Sequence, residues 1–574
     1  MRTDPKYLTL DDLLQKRLFQ IPEYQRAYSW ETKQRKDLFN DIDKLVEIRK
    51  TQPDRHHFMA TIVCLDKTEK IQVGTDDYSI YDVVDGQQRI TTLIILLKEI
   101  SKALNNINKV EAERLDDLLV KDDKRLLLLQ TNHDSARIFR NYLENGKIPD
   151  GKVATLADQN LIEAFKECNK YVEVWKHKAN ILDLLRIIKN YMAFIFYVSV
   201  DEGAVFNTFE VLNSRGLDVN WLDKCKTMLM GIAYEKLPQQ TAKAYTTELQ
   251  MLWANIFRTI GIKLIPGDEI LQFVATLKHD SELSKPLSSV ESLEFIRRKC
   301  SDDPKLIITY SEWLLMVSEE LKELYSDPRI SGVTIIKQAR LLAVALMIVD
   351  KWDGKLKDEA LHEWEKVTFR IYGLGRKDAR NKVGEYTKLA YAVVNKYNSP
   401  GREKEVIKRI KQIAIESEYD INNVVNNLRN SDCFTKWRKE ELRYFLYHYE
   451  EYLENQSSGA IDKDIWIKVW SGTASSTIEH VRPQKWNARG WSGVLGSTKE
   501  SVESKVNRLG NLVLLPPNVN SKARDKSFKK KKEIYMVYRS LLQVDEIINY
   551  KTWNAKAIKK REEKMLAWAI QNWG

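Results

Sequence analysis

"YSIYDVVDGQQRITTLIILLKEIS", residues 78–101, changes its hydrophobic period partway along. Up to Val84 it is rich in aromatic and β-branched residues, the pattern of a strand. From Ile90 onward its apolar residues recur at helical spacing, with Asp85 and Gly86 at the join. The segment therefore reads as strand, tight glycine turn, helix start. Such a turn aims free backbone N–H groups and the positive end of a helix dipole at one point, which suits a phosphate. A second β-type run, "FMATIVCL" (58–65), precedes it. The first hundred residues are thus expected to hold a small sheet.

The rest of the chain reads as mostly helical. At 574 residues, with 43% hydrophobic and 30% charged, it has material for several cores of about 100 to 200 residues each and is no disordered protein. Turn-rich breaks at 144–152, 284–290, 397–405 and 454–462 mark loops or boundaries. Between them, "VTIIKQARLLAVALMIVDKW" (333–352) carries apolar residues at helical spacing. The expected organisation is a nucleotide-binding or sensor domain at 1–230, a helical linker at 231–425 and a terminal module at 426–574. The fold class is multidomain α+β, predominantly helical.

Cys64, Cys168, Cys225, Cys300 and Cys433 lie far apart with no CxxC pair, so neither a disulfide framework nor a zinc ribbon is implied. The longest apolar run, "LLAVALMIV" (341–349), is about half a bilayer crossing. A reducing cytoplasm without a membrane partner is the expected setting. Charge is unevenly placed: the last 114 residues hold 22 Lys and Arg against 11 Asp and Glu, while the first 460 balance at 70 against 70. A neutral body with a basic end fits a polyanion-binding module, because Lys and Arg release counterions from phosphates.

Three N-terminal clusters combine Arg with Gln, Asn or Asp beside aromatic residues or Gly: "IPEYQRAYSW" (21–30), "DVVDGQQRITTL" (82–93) and "FEVLNSRGLDVNWLDKCK" (209–226). Arg26, Arg89 and Arg215 could clamp phosphates, Asp85 could hold Mg²⁺, and Gln87 or Gln88 could position a water. The same residues could equally serve as loop and capping residues. No GxxxxGK[ST] occurs, so nucleotide hydrolysis would need a scaffold other than a P-loop.

The basic end contains "STIEHVRPQKW" (476–486), with Glu479 beside His480, the one histidine of the last 114 residues. A one-metal phosphodiesterase needs a base for water, two oxygen ligands for Mg²⁺ and a basic surface for the DNA backbone. "RLGNLVLLPPNVNSKARDKSFKKKK" (508–532) supplies the remainder: Asn511 at the start of an apolar strand, Asn520 at a helix start, then Lys522, Arg524, Lys526 and Lys529 to Lys532. No Cys pair accompanies them, which argues against zinc.

The N-terminal clusters resemble the N-terminal domain of GmrSD-type, modification-dependent (type IV) restriction proteins, a ParB/sulfiredoxin-like fold that binds and hydrolyses nucleoside triphosphates. The hallmark DGQQR stands at 85–89. The resemblance implies a nucleotide site of Asp85, Gly86, Gln87, Gln88 and Arg89, with Tyr24, Gln25 and Arg26 nearby, and with Asn213, Arg215 and Lys226 from the third cluster. The family's small residue after "HHF", often glycine, is Ala60 here. The C-terminal cluster resembles the ββα-metal HNH nuclease domain of the same proteins. That likeness makes Glu479 and Asn520 metal ligands and His480 the general base, while Asn511 braces the loop that presents it. Arg482, Lys522, Arg524, Lys526, Lys529 and Lys530 are the implied DNA contacts.

Together the resemblances imply a nucleotide-regulated endonuclease of phage defence that uses Mg²⁺ or Mn²⁺, takes GTP or another NTP, and cuts modified double-stranded DNA to 5′-phosphate and 3′-hydroxyl ends. They leave room for a homodimer and for companion defence proteins. Two rival readings are an NTP-switched, ParB-like DNA-binding protein without cleavage, and an RNA-directed abortive-infection nuclease.

Overall fold

The structure, a computed structural model, describes residues 5–22, 24–121, 125–130, 135–148, 155–205, 208, 221–262, 265–457 and 463–574. The chain is a predominantly helical α+β protein that divides into two compact units, residues 1–275 with 287–322 and residues 276–286 with 323–574. The helical span expected at 231–425 is shared between them.

In the first unit, the described residues form a mixed sheet of β1 (Lys6–Thr9), β2 (Arg17–Ile21), β3 (His57–Val73), β4 (Asp76–Asp85), β5 (Leu128–Gln130) and β6 (Met192–Ser199). Its spatial order is β1-β6-β3-β4-β2-β5. β3 and β4 make an antiparallel hairpin around Gly74, and β6 and β2 flank that hairpin in parallel. The expected strands at 58–65 and 78–84 lie inside β3 and β4, which run longer than their apolar runs.

Gly86 follows β4 with φ +90°, and a Cβ there would sit 3.1 Å from Ile62 Cγ1. Only glycine takes that conformation without strain. The helix Gln87–Leu104 starts at once and is buried at every position except Arg89 and Lys102. Leu93, Leu96, Leu97 and Leu104 are fully enclosed, each contributing about 1.5–3 kcal/mol relative to exposure. The helix packs against Lys109–Leu119 and Leu156–Lys176. That packing anchors the glycine turn to the core.

In the second unit the apolar run at 341–346 is buried within the helix Lys337–Ile348, which packs on Gly354–Thr368 and Val383–Asn395. Among the described residues no helix is long and apolar enough to cross a membrane. Further along, β7 (Ile478–His480) pairs antiparallel with β8 (Leu512–Leu514), followed by the helices Pro517–Ala523, Phe528–Tyr535 and Ala555–Trp573. The last helix buries Ile558, Leu566 and Trp568, with Trp553 enclosed just before it. It approaches so closely that a Cβ on Gly510 would meet the Ile558 carbonyl at 2.1 Å.

Candidate functional site

The β7–β8 pair sets Ile478 opposite Leu514, Glu479 opposite Val513 and His480 opposite Leu512. The long connection between the strands is closed by Asn511, whose side chain is fully buried. Its Oδ1 accepts from the Arg482 N–H at 2.8 Å and the Trp553 indole at 2.9 Å. Its Nδ2 donates to the carbonyls of Arg482 at 2.9 Å and Val506 at 2.7 Å. Two of these bonds fasten the chain just after His480 to the chain just before β8, and the other two tie in Val506 and Trp553, so the amide's capacity is fully used.

Glu479 and His480 line the same cleft but take different partners. The His480 ring packs edge-on against Phe434, centroids 4.4 Å apart, and Nε2 lies 3.0 Å from Asn507 Oδ1. Asn507 is itself oriented, because its Nδ2 donates to Asp432 Oδ2 at 3.1 Å and Thr435 Oγ1 at 3.2 Å. An amide oxygen can only accept, so Nε2 carries the proton and Nδ1 keeps the lone pair. Burial pulls the imidazole down to about 4, against the opposing hydrogen bond to Asn507, so the ring is neutral at pH 7.

Glu479 Oε1 meets the ammonium of Lys531 and the hydroxyl of Tyr535, the latter at 2.9 Å, and Lys531 Nζ also donates to the His480 carbonyl at 2.7 Å. Burial pushes the Glu479 carboxyl up while the Lys531 charge pulls it back. Asn520, in the helix Pro517–Ala523, donates Nδ2 to the carbonyls of Ser476 at 2.8 Å and Ile478 at 3.2 Å. Its Oδ1 accepts none of the hydrogen bonds among the described residues. Glu479, His480 and Asn520 line one cleft of about 450 Å³ with Phe434, Gln484, Lys485, Arg524 and Asp525.

The expected DNA-contacting residues divide. Lys522, Arg524, Lys526, Lys529 and Lys530 are exposed. Arg482 is not: it is fully buried, and its guanidinium donates to the carbonyls of Pro483, Lys485 at 2.9 Å and Trp486 at 2.7 Å. Its charge is spent on shaping the loop after β7 and is not available to a phosphate. Sequence reading missed Asn507, Asp432, Tyr535 and the cleft residue Lys485, and it placed Lys531 on the basic surface, whereas the structure encloses it against Glu479. The spacing of Phe528, Lys531 and Tyr535, which places them on one helical face, was the available signal for Tyr535 and for the enclosure of Lys531.

In the first unit the structure brings Tyr24, Gln25 and Arg26 next to Asp85–Arg89 and Lys226. Gln25 Nε2 donates to the Val84 carbonyl at 3.1 Å, and Gln88 accepts from the Ser29 N–H at 2.9 Å and donates to the Ala27 carbonyl at 3.2 Å. These glutamines pin the 24–30 segment to the strand–turn–helix unit. Lys226 Nζ donates to Gln25 Oε1 at 2.9 Å, and Arg26 pairs with Asp223 at 3.2 Å. Burial draws Lys226 down to about 8 although Asp223 opposes it. Asp85 is pushed up by burial, against the Gly86 N–H and Arg89. Gln87 Oε1 is buried with no hydrogen-bond partner among the described residues. Asn213 and Arg215 lie outside the described residues.

Comparison with known proteins agrees with this two-part layout. Residues 10–230 match the family model described as GmrSD restriction endonuclease, N-terminal domain, and residues 419–568 match GmrSD restriction endonucleases, C-terminal domain. No curated protein matches the chain. The two matches span about two thirds of its length and carry both clusters, and on them the chain belongs to the GmrSD restriction endonuclease family.

Proposed function

We propose that the chain is a DNA endonuclease of phage defence whose HNH-type site is built on β7, β8 and the helix after them, and whose N-terminal site binds a nucleoside triphosphate that regulates cutting. The observation that carries the reading is the convergence of Glu479, His480 and Asn520 on one cleft beside Lys485 and Arg524. The donors fit a hard divalent cation, since the Glu479 carboxylate and the Asn520 amide oxygen share the cleft. Mg²⁺ suits such a site because it keeps several waters. Bound by Glu479 and Asn520, it would neutralise charge on the scissile phosphate.

The chain's own residues do the rest. His480, neutral and fixed by Asn507 with Nδ1 free, takes the proton of the water that attacks phosphorus. The P–O3′ bond then breaks, leaving 5′-phosphate and 3′-hydroxyl ends. Lys485, Arg524 and the exposed lysines hold the backbone. In the first unit, the turn at Gly86 with Arg26, Arg89 and Lys226 would cradle the phosphates of an NTP.

Cleavage of phage DNA carrying different modifications, with Mg²⁺ and with or without GTP or another NTP, tests the nuclease. His480→Ala should lose at least about a hundredfold in rate. Equal activity in wild type and variant would overturn the mechanism. An Asp85→Ala or Arg89→Ala chain that hydrolyses NTP at the wild-type rate would overturn the nucleotide site.

A further inference from the structure

The chain holds 15 tryptophans, and every one but Trp486 is buried or half-buried. Trp486 alone is exposed, with 44% of its surface open to solvent. An indole left in water forgoes the large apolar burial that tryptophan usually gains, and tryptophan is enriched where proteins make contact with partners.

Its place in the chain is as specific as its exposure. Gln484 and Lys485, the two residues before it, line the cleft of Glu479 and His480. The Ala488 N–H donates to the Lys485 carbonyl at 3.1 Å, which closes a tight turn with Trp486 and Asn487 at its tip. Turn tips are ordinarily given to Gly, Pro, Asn, Asp or Ser, so a tryptophan there has no local conformational reason. The turn is also held from beneath. Buried Arg482 donates to the carbonyls of Lys485 at 2.9 Å and Trp486 at 2.7 Å, so an enclosed guanidinium fixes the backbone that carries the indole. A few residues on, enclosed Trp491 donates its indole N–H to the Lys526 carbonyl at 2.8 Å, and a Cβ on Gly490 would stand 3.0 Å from Ser527. The turn is thereby tied to the start of the basic helix Phe528–Tyr535. Lys485 and Arg489, both exposed, flank the indole along the chain. An ordered π face between cations, next to a phosphodiesterase cleft, is the combination that holds a nucleobase and its phosphates together.

We infer that Trp486 stacks on a nucleobase beside the scissile phosphate and makes the site select DNA whose base stack is open there, as in a single strand or at a mispair. The inference deepens the nuclease reading and rests on it. Inside a paired duplex both faces of a base are covered by its neighbours, so an indole reaches one only after a step has been unstacked. In a single strand or a mispair that cost is already met. Because every base has a π face, Trp486 selects for an open stack and not for a sequence. Fixing the turn in advance spares the entropy of ordering it when DNA binds.

The test uses the full chain with His480→Ala, which keeps DNA intact, and three fluorescein-labelled oligonucleotides of one sequence: a perfect duplex, a duplex with one central mispair and a single strand. Fluorescence anisotropy gives the affinities. The parent should bind the mispaired duplex at least about fivefold more tightly than the perfect one. Trp486→Ala should abolish that ratio, whereas Trp486→Phe, which keeps a ring, should retain most of it. The ratio compares two DNAs on one protein, so a partial folding defect does not imitate the result. A mispair preference that survives Trp486→Ala, or a parent that shows no preference, would overturn the inference. Wild-type chain that cuts none of the three DNAs with Mg²⁺ would instead overturn the nuclease reading itself.

Discussion

Moving the pH from 7 to 5 perturbs His480 in a way whose size can be worked out. The ring is enclosed against Phe434, and burial draws it from an ordinary 6.5 to about 4. Because the folded value is the lower one, this contribution to stability is fully present above 6.5 and is lost as the pH falls toward 4. Linkage then removes about 2 kcal/mol between pH 7 and pH 5 and about 3 kcal/mol by pH 4. His448 has the opposite sign: burial pulls it down, but Glu365 and Glu451 outweigh burial and push it up to about 9, so its contribution is full below 6.5 and fades as the pH rises to about 9. Comparing wild type with His480→Gln cancels the His448 contribution and keeps a side chain that can donate to Asn507. Urea unfolding of the metal-free chain at both pH values, followed by tryptophan fluorescence, is the assay. The variant should lose about 2 kcal/mol less than wild type on going to pH 5. Parallel losses in the two proteins would refute the buried, neutral imidazole, and with it the base available at neutral pH.

Asn511→Ala strips two acceptor and two donor contacts from a site with no access to water, leaving the Trp553 indole and the Arg482 N–H unmatched. About 3 kcal/mol or more of stability should be lost, read by the same unfolding assay; a loss under about 1 kcal/mol would contradict the brace. In the first unit, the Lys226 ammonium, held near 8, should support NTP binding below that pH and fail above it, with affinity about tenfold weaker at pH 9. Lys226→Met should bind weakly and show no such pH dependence in a fluorescent-nucleotide titration.

Much of the first unit was legible because local chemistry dictated it. The switch from strand to helical period across Asp85 and Gly86 matches β4 and the buried helix after it, and the left-handed backbone at Gly86 leaves no other residue type comfortable there. In the second unit the order of strand, strand and basic helix was likewise present in the letters. What could not be read was where charges and amides are spent. Arg482 and Lys531 sit in a basic segment and look like phosphate contacts, yet both are enclosed, one on loop carbonyls and the other on Glu479. Asn507 owes its orientation to Asp432, 75 residues earlier, a pairing that no local pattern encodes.

The two enclosed cations have a common physical origin. A short strand pair cannot enclose a carboxylate and a long loop with apolar residues alone, since the loop exposes carbonyls and the carboxylate carries charge, and both need donors once water is excluded. Arg482 supplies the loop carbonyls with several N–H groups from one planar head, and Lys531 supplies the carboxylate with a compact charge. Exchanging the two residue types would fail on geometry: a lysine at 482 could not span the carbonyls of 483, 485 and 486 with one planar fork, and an arginine at 531 would need room that the packing of Tyr535 and Glu479 does not leave. The basic excess of this module is thus divided between an exposed surface, which the proposed function gives to phosphate, and an interior that holds the site's own polar groups in place. A count of charges cannot separate them until burial is known.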